Sequence, residues 1–106
     1  MAKYLIHGSY SEDGLKGLLK EGGSARMKAG RKTVESLGGT VEASYFAFGG
    51  DDFYYIVDLP DNADSAAVAL TVNASGAVKV KTTVLLTPEE VDEAVEKSVD
   101  YRPPGR

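Results

Sequence analysis

A chain of 106 residues with a formal charge of -4 is the size of one ordinary domain, and it lacks the basic excess that binding by phosphate neutralisation requires. It has no cysteine and one histidine, His7, which excludes disulfides, thiolate chemistry, cysteine-based metal centres and any two-histidine metal site within one chain. An apolar fraction of 42% beside a charged fraction of 26% is that of a globular domain able to fold without metal or disulfide.

Lys3 to Tyr10 is rich in aromatic and branched residues and reads as a strand. Ser11 is placed to cap a helix on which Leu15, Leu18 and Leu19 recur at helical spacing. Gly22-Gly23 interrupts it, and Ser24 is expected to cap a second helix with Met27, Val34 and Leu37 on one face, ended by Gly38-Gly39. Val41 to Phe48 and Phe53 to Leu59 read as a hairpin joined by the turn Gly49-Gly50-Asp51-Asp52. Pro60-Asp61-Asn62 leads into a helix from about Ala63 to Ser75, closed by Gly76, and Ala77 to Leu86 is a fourth strand. Thr87-Pro88-Glu89-Glu90 carries the signature of a capping box, opening a last helix with Val91, Ala94, Val95 and Val99 as its apolar stripe.

Strand, helix, strand, strand, helix, strand is the split βαβ order. The expected fold is therefore α+β: a ferredoxin-like βαββαβ sandwich with a four-stranded antiparallel sheet and an extra C-terminal helix. Right-handed crossovers put its first and third strands in the centre. Residues 1–100 are expected to form a single domain and 101–106, with Pro103-Pro104-Gly105, a flexible tail. The apolar run near the start is too short for a signal-peptide core, and nothing approaches the ~18 apolar residues of a membrane span. A cytoplasmic protein without membrane contact is the default expectation.

Several stretches together resemble the GYD domain family: Tyr4-Leu5-Ile6 with Gly8-Ser9-Tyr10, Glu35-Ser36-Leu37-Gly38-Gly39, Phe46-Ala47-Phe48-Gly49, Ile56-Val57-Asp58-Leu59-Pro60-Asp61, and Thr82-Thr83-Val84-Leu85-Leu86-Thr87-Pro88-Glu89-Glu90. The Gly-Tyr-Asp triplet of that family falls on Gly50-Asp51-Asp52, where Asp51 stands in place of the tyrosine. The resemblance implies a dimeric α/β barrel in which two ferredoxin-like sheets face each other. It implies no activity, because barrels of this type include monooxygenases without cofactor, haem proteins, isomerases and ligand sensors, so function has to be argued from a site.

The candidate residues are few. His7 lies mid-strand, where a neutral imidazole could act as general base or simply be a structural histidine at a contact. If strand phases run evenly, Tyr4, Tyr10, Tyr45 and Tyr55 share the face that packs on the helices. They form either core or the flat wall of a ligand pocket with Asn73 and, at its mouth, Arg26. His7, Tyr54, Ile56 and Asp58, with Phe46 and Phe48, then fall on the open face expected to form a homodimer.

Asp58, Lys79 and Lys81 on that face are solvated or paired, Asp51 and Asp52 read as solvated turn carboxylates, and no metal or cofactor is expected. The basic stretch Lys20, Arg26, Lys28, Arg31 and Lys32 could bind a phosphate or carboxylate, but reads rather as a solvated helix face that the acidic last helix could neutralise. The helix from Ala63 is apolar on nearly every side and is expected to be buried all round. Two classes of function remain open: a small-molecule-binding domain, with cofactor-free enzymes among its members, and a structural module whose product is the assembly.

Overall fold

Four strands and four helices follow the expected order in the structure, a computed structural model that describes residues 1–106. They are β1 (Ala2–Tyr10), α1 (Glu12–Glu21), α2 (Gly23–Glu35), β2 (Thr40–Phe46), β3 (Phe53–Leu59), α3 (Asn62–Ala74), β4 (Val78–Leu85) and α4 (Pro88–Val95). The strands form one antiparallel sheet in the order β2-β3-β1-β4, an α+β fold consistent with the ferredoxin-like arrangement.

Alternation along the strands decides which face is core. Tyr4 and Ile6 of β1 pair with Val57 and Tyr55 of β3, and they pack with Leu59 against Val34 of α2 and Val68 of α3. Tyr4 is fully buried, and its hydroxyl donates to Asn62 Oδ1 at 2.6 Å, so it is core. Gly8 lets the paired strand β4 approach β1 closely, since a Cβ there would lie 1.8 Å from the Lys79 carbonyl oxygen.

The caps explain where helices begin. Ser11 Oγ accepts from the Gly14 amide, Asp61 Oδ1 from the Asp64 amide, and Thr87 and Glu90 form the complete capping box. Ser24 does not cap α2: Gly22, at φ 88°, takes the N-cap position by turning the chain in a way that needs no side chain.

Three expectations change. First, β2 has a register shift between Val41, opposite Val57, and Ala43, opposite Ile56. The extra residue, Glu42, reverses the phase of the rest of the strand. Tyr45 therefore pairs with Tyr54 on the open face and is 70% exposed, while Phe46 turns to the helix side, against Gly23. Second, α3 is not buried all round. Ser65 and Val68 face the sheet, but Ala66 and Ala74 are exposed and Leu70 is 73% exposed, because no other helix covers the outer side. Third, α4 buries none of its residues, and none of its acids forms an ion pair with α2. It stands away from the sheet with Val91 and Val95 exposed.

Candidate functional site

Two places gather polar groups with restricted access to solvent. The first is a half-open cavity of about 70 Å³ between sheet and helices. β1 and β3 supply Ile6, Tyr10, Phe53 and Tyr55, β4 supplies Val78 and Val80, and α2 and α3 close it with Arg26, Thr33, Val34 and Val72. Gly30 of α2 makes the room: a Cβ there would lie 2.2 Å from the Tyr55 hydroxyl. The walls are mostly apolar, and the polar groups are the two phenols, Thr33 and the Arg26 guanidinium, which has Glu21 at 3.7 Å. Burial pushes the Tyr10 phenol up to about 12, with Tyr55 adding to the shift and Arg26 opposing it. Burial raises Tyr55 as well, against the pull of Arg26 and Arg31. Both phenols are thus neutral donors beside a cation. A second half-open hollow of about 150 Å³ adjoins, sharing Tyr10, Arg26 and Val78 and bounded by α1.

Of the residues expected to line a pocket, Tyr10, Tyr55 and Arg26 come together here. Tyr45 does not, because the β2 bulge sends it to the other face. Neither does Asn73, whose Oδ1 accepts from the Val80 amide at 2.7 Å and whose Nδ2 donates to the Val80 carbonyl at 3.4 Å. It fastens α3 to the outer edge of the sheet, with both its polar atoms turned to the Val80 backbone, and does not line the cavity.

The second place is on the open face. The β2–β3 turn folds back over the end of β1: the Asp52 amide donates to the Gly8 carbonyl at 2.7 Å, and the Asp52 carboxylate accepts from the Tyr10 amide at 2.9 Å. That lays Asp51 beside His7, whose Nδ1 donates to Asp51 Oδ2 at 2.5 Å. The two side chains are only 16% and 15% exposed. The imidazole stacks on Tyr54, with ring centres 5.7 Å apart and planes within 7°. On the opposite edge of the ring Nε2 faces Thr83 Oγ1 at 3.4 Å, and Lys81 Nζ lies 3.7 Å from Asp51 Oδ1. The hydrogen bond from His7 holds the Asp51 carboxyl below the usual carboxylate range, outweighing its partial desolvation. Farther along the same face Lys3 bridges Glu42 at 2.8 Å and Asp58 at 3.0 Å.

Asp51 and Asp52, expected to be solvated turn carboxylates, are both engaged. The signal that links them to β1 is register. Once His7 pairs with Tyr54, the residues just before Phe53 must run beside Gly8 to Tyr10. No group of three or more His, Asp or Glu side chains gathers anywhere in the chain as a metal cage would, and no helix is long and apolar enough to cross a membrane.

The triplet position is where this turn meets β1. Asp52 ties the turn to the Tyr10 amide, and Asp51 carries the contact to His7. No curated protein and no solved structure matches the chain. The GYD domain matches residues 4–95, from within β1 to the end of α4, and on that match the chain belongs to the GYD domain family.

Proposed function

We propose that this chain is a homodimeric small-molecule-binding domain whose ligand is a compact anion with a short apolar body. The observation that carries the reading is the cavity: apolar walls, two neutral phenols and one guanidinium converging on a half-open space. That is the balance of surfaces small-ligand sites use, at a volume below the ~300–1,000 Å³ of drug-sized pockets. Arg26 would pair with a carboxylate, and Tyr10 and Tyr55 would donate to it.

Surface area supports the dimer. A chain of 11.2 kDa folded on its own is expected to expose about 5,700 Å². This one exposes 7231 Å². The surplus, about 1,500 Å² per chain, is about twice the ~800 Å² that each partner loses in a standard interface; two copies would bury ~3,000 Å² in total, within the range of obligate homodimers. The open sheet face with Tyr45, Tyr54 and Ile56 is a surface that no helix of the same chain covers. An assembly module without a ligand would share this dimer but would leave the cavity unused.

Sedimentation at micromolar concentration is expected to show twice the chain mass. A titration with small aromatic and aliphatic carboxylates, followed by amide chemical shifts, is expected to move signals of Tyr10, Arg26 and Tyr55. Tyr55→Phe should then weaken binding by ~0.5–1.5 kcal/mol with little loss of fold stability. If millimolar carboxylates shift nothing around Arg26, the cavity is packing alone.

A further inference from the structure

We infer that His7 and Asp51 form a proton-accepting site on the open face, distinct from the sheet–helix cavity. The base would be His7 Nε2. Its substrate class would be a flat, weakly acidic molecule, such as a phenol or a 1,3-dicarbonyl compound, that leaves an anion when deprotonated.

The geometry supplies the parts of a general base. A hydrogen bond from Nδ1 to the Asp51 carboxylate fixes the tautomer, so that the other nitrogen carries the free lone pair. The same carboxylate stabilises the imidazolium that forms once a proton is taken. The only partner near Nε2 is the Thr83 hydroxyl at 3.4 Å, a long contact that an incoming donor can displace. The ring is clamped in its plane by Tyr54, which extends a flat surface beside it. Lys81, with a side chain 72% exposed, lies 3.7 Å from the second oxygen of Asp51 and helps hold that carboxylate in place.

A histidine serving only to pin the turn would need the Nδ1 contact and nothing more. Here the Nε2 edge opens towards Thr83, an exposed residue of the edge strand β4, on the side of the open face away from the dimer patch of Tyr45 and Ile56. In the proposed step the proton passes from substrate carbon or oxygen to Nε2 and the bonding pair stays on the substrate as an enolate or phenolate. The imidazolium later returns the proton to product or water.

The test uses the whole protein and a generic carbon acid, 5-nitrobenzisoxazole. Abstraction of its C3 proton by Nε2 drives the C–H pair into a nitrile bond and breaks the N–O bond. The product is a coloured phenolate. The rate per folded protein is expected to exceed that of an equal concentration of free imidazole by about 10²-fold. His7→Gln should remove the excess. Asp51→Asn should lower it by at least about tenfold, because the tautomer and the imidazolium lose their support. Lys81→Met should lower it less. Thermal melting of each variant reports the fold separately, and nitrogen NMR of the one imidazole reports its tautomer. A wild-type rate no greater than free imidazole overturns the inference. So does a rate unchanged in His7→Gln. The cavity substitution Tyr55→Phe tests the anion site alone, so failure of one reading leaves the other standing.

Discussion

Tyr10 links the two faces of the sheet through one residue. Its ring reaches the cavity on the helix side, while its amide is held by the Asp52 carboxylate of the turn that positions Asp51. The folded state holds its phenol at about 12, above the ordinary value of about 10, so folding favours the neutral form. Stability from this burial is complete below pH ~10 and is lost as pH rises through ~12. Tyr10→Phe is therefore expected to flatten the dependence of unfolding free energy on pH within that window. The difference between wild-type and variant absorbance at 295 nm should isolate one phenol titrating near 12. A difference curve centred near 10 would mean that the ring is solvated and the cavity wall is open at this point.

Phe48, at φ 57°, is the one non-glycine residue with a positive φ. It stacks on Phe46 with ring centres 5.6 Å apart, so aromatic contact at the hairpin end accompanies the strained backbone.

Elements were more legible than their phases. Composition and period point to every strand and helix, and the caps Ser11, Asp61 and Thr87 to three helix starts, because these act locally; only α2 starts on Gly22 in place of the expected Ser24. The bulge at Glu42 leaves no such mark. It is settled by pairing with β3 and by Lys3 bridging Glu42 and Asp58, contacts distant in sequence. One inserted residue moved Tyr45 out of the cavity side and Phe46 into it, while Tyr10 and Tyr55, on regular strands, stayed where alternation put them. Asn73 was misread for a related reason. β4 is an edge strand, and the amide and carbonyl of Val80 point away from β1 to find Asn73 on the returning helix. Removing the side chain strands a half-buried amide. Asn73→Ala is expected to destabilise the fold by ~1–3 kcal/mol, read from the urea midpoint, with faster hydrogen exchange at the Val80 amide. A change within about 0.5 kcal/mol would show that water satisfies the edge equally well.

The chain is more extended than its length requires. Its radius of gyration is 16.9 Å, against ~13 Å for a compact domain of about this size. Only 10 of 106 residues are buried. The extension comes with α4, which is well formed by its capping box yet buries nothing. Two features of the body complement it. The outer stripe Ala66, Leu70 and Ala74 of α3 and the exposed Val84 of β4 offer apolar contact for Val91 and Val95. The basic residues Lys28, Arg31 and Lys32 of α2 are exposed and have no ion-pair partner, as are Glu89, Asp92 and Glu93 of α4. Within one chain these surfaces do not meet, so the dimer proposed above gives the arm a place to dock on the second copy. Deleting residues 87–106 is then expected to weaken dimerisation while leaving the thermal stability of the separated monomer nearly unchanged, because no buried residue is lost. Salt should weaken the full-length dimer more than the truncated one, since the charges involved lie at the surface. Sedimentation equilibrium of both forms at low and high salt measures this. Equal dimer constants would confine the interface to the sheet face and leave α4 free in solution.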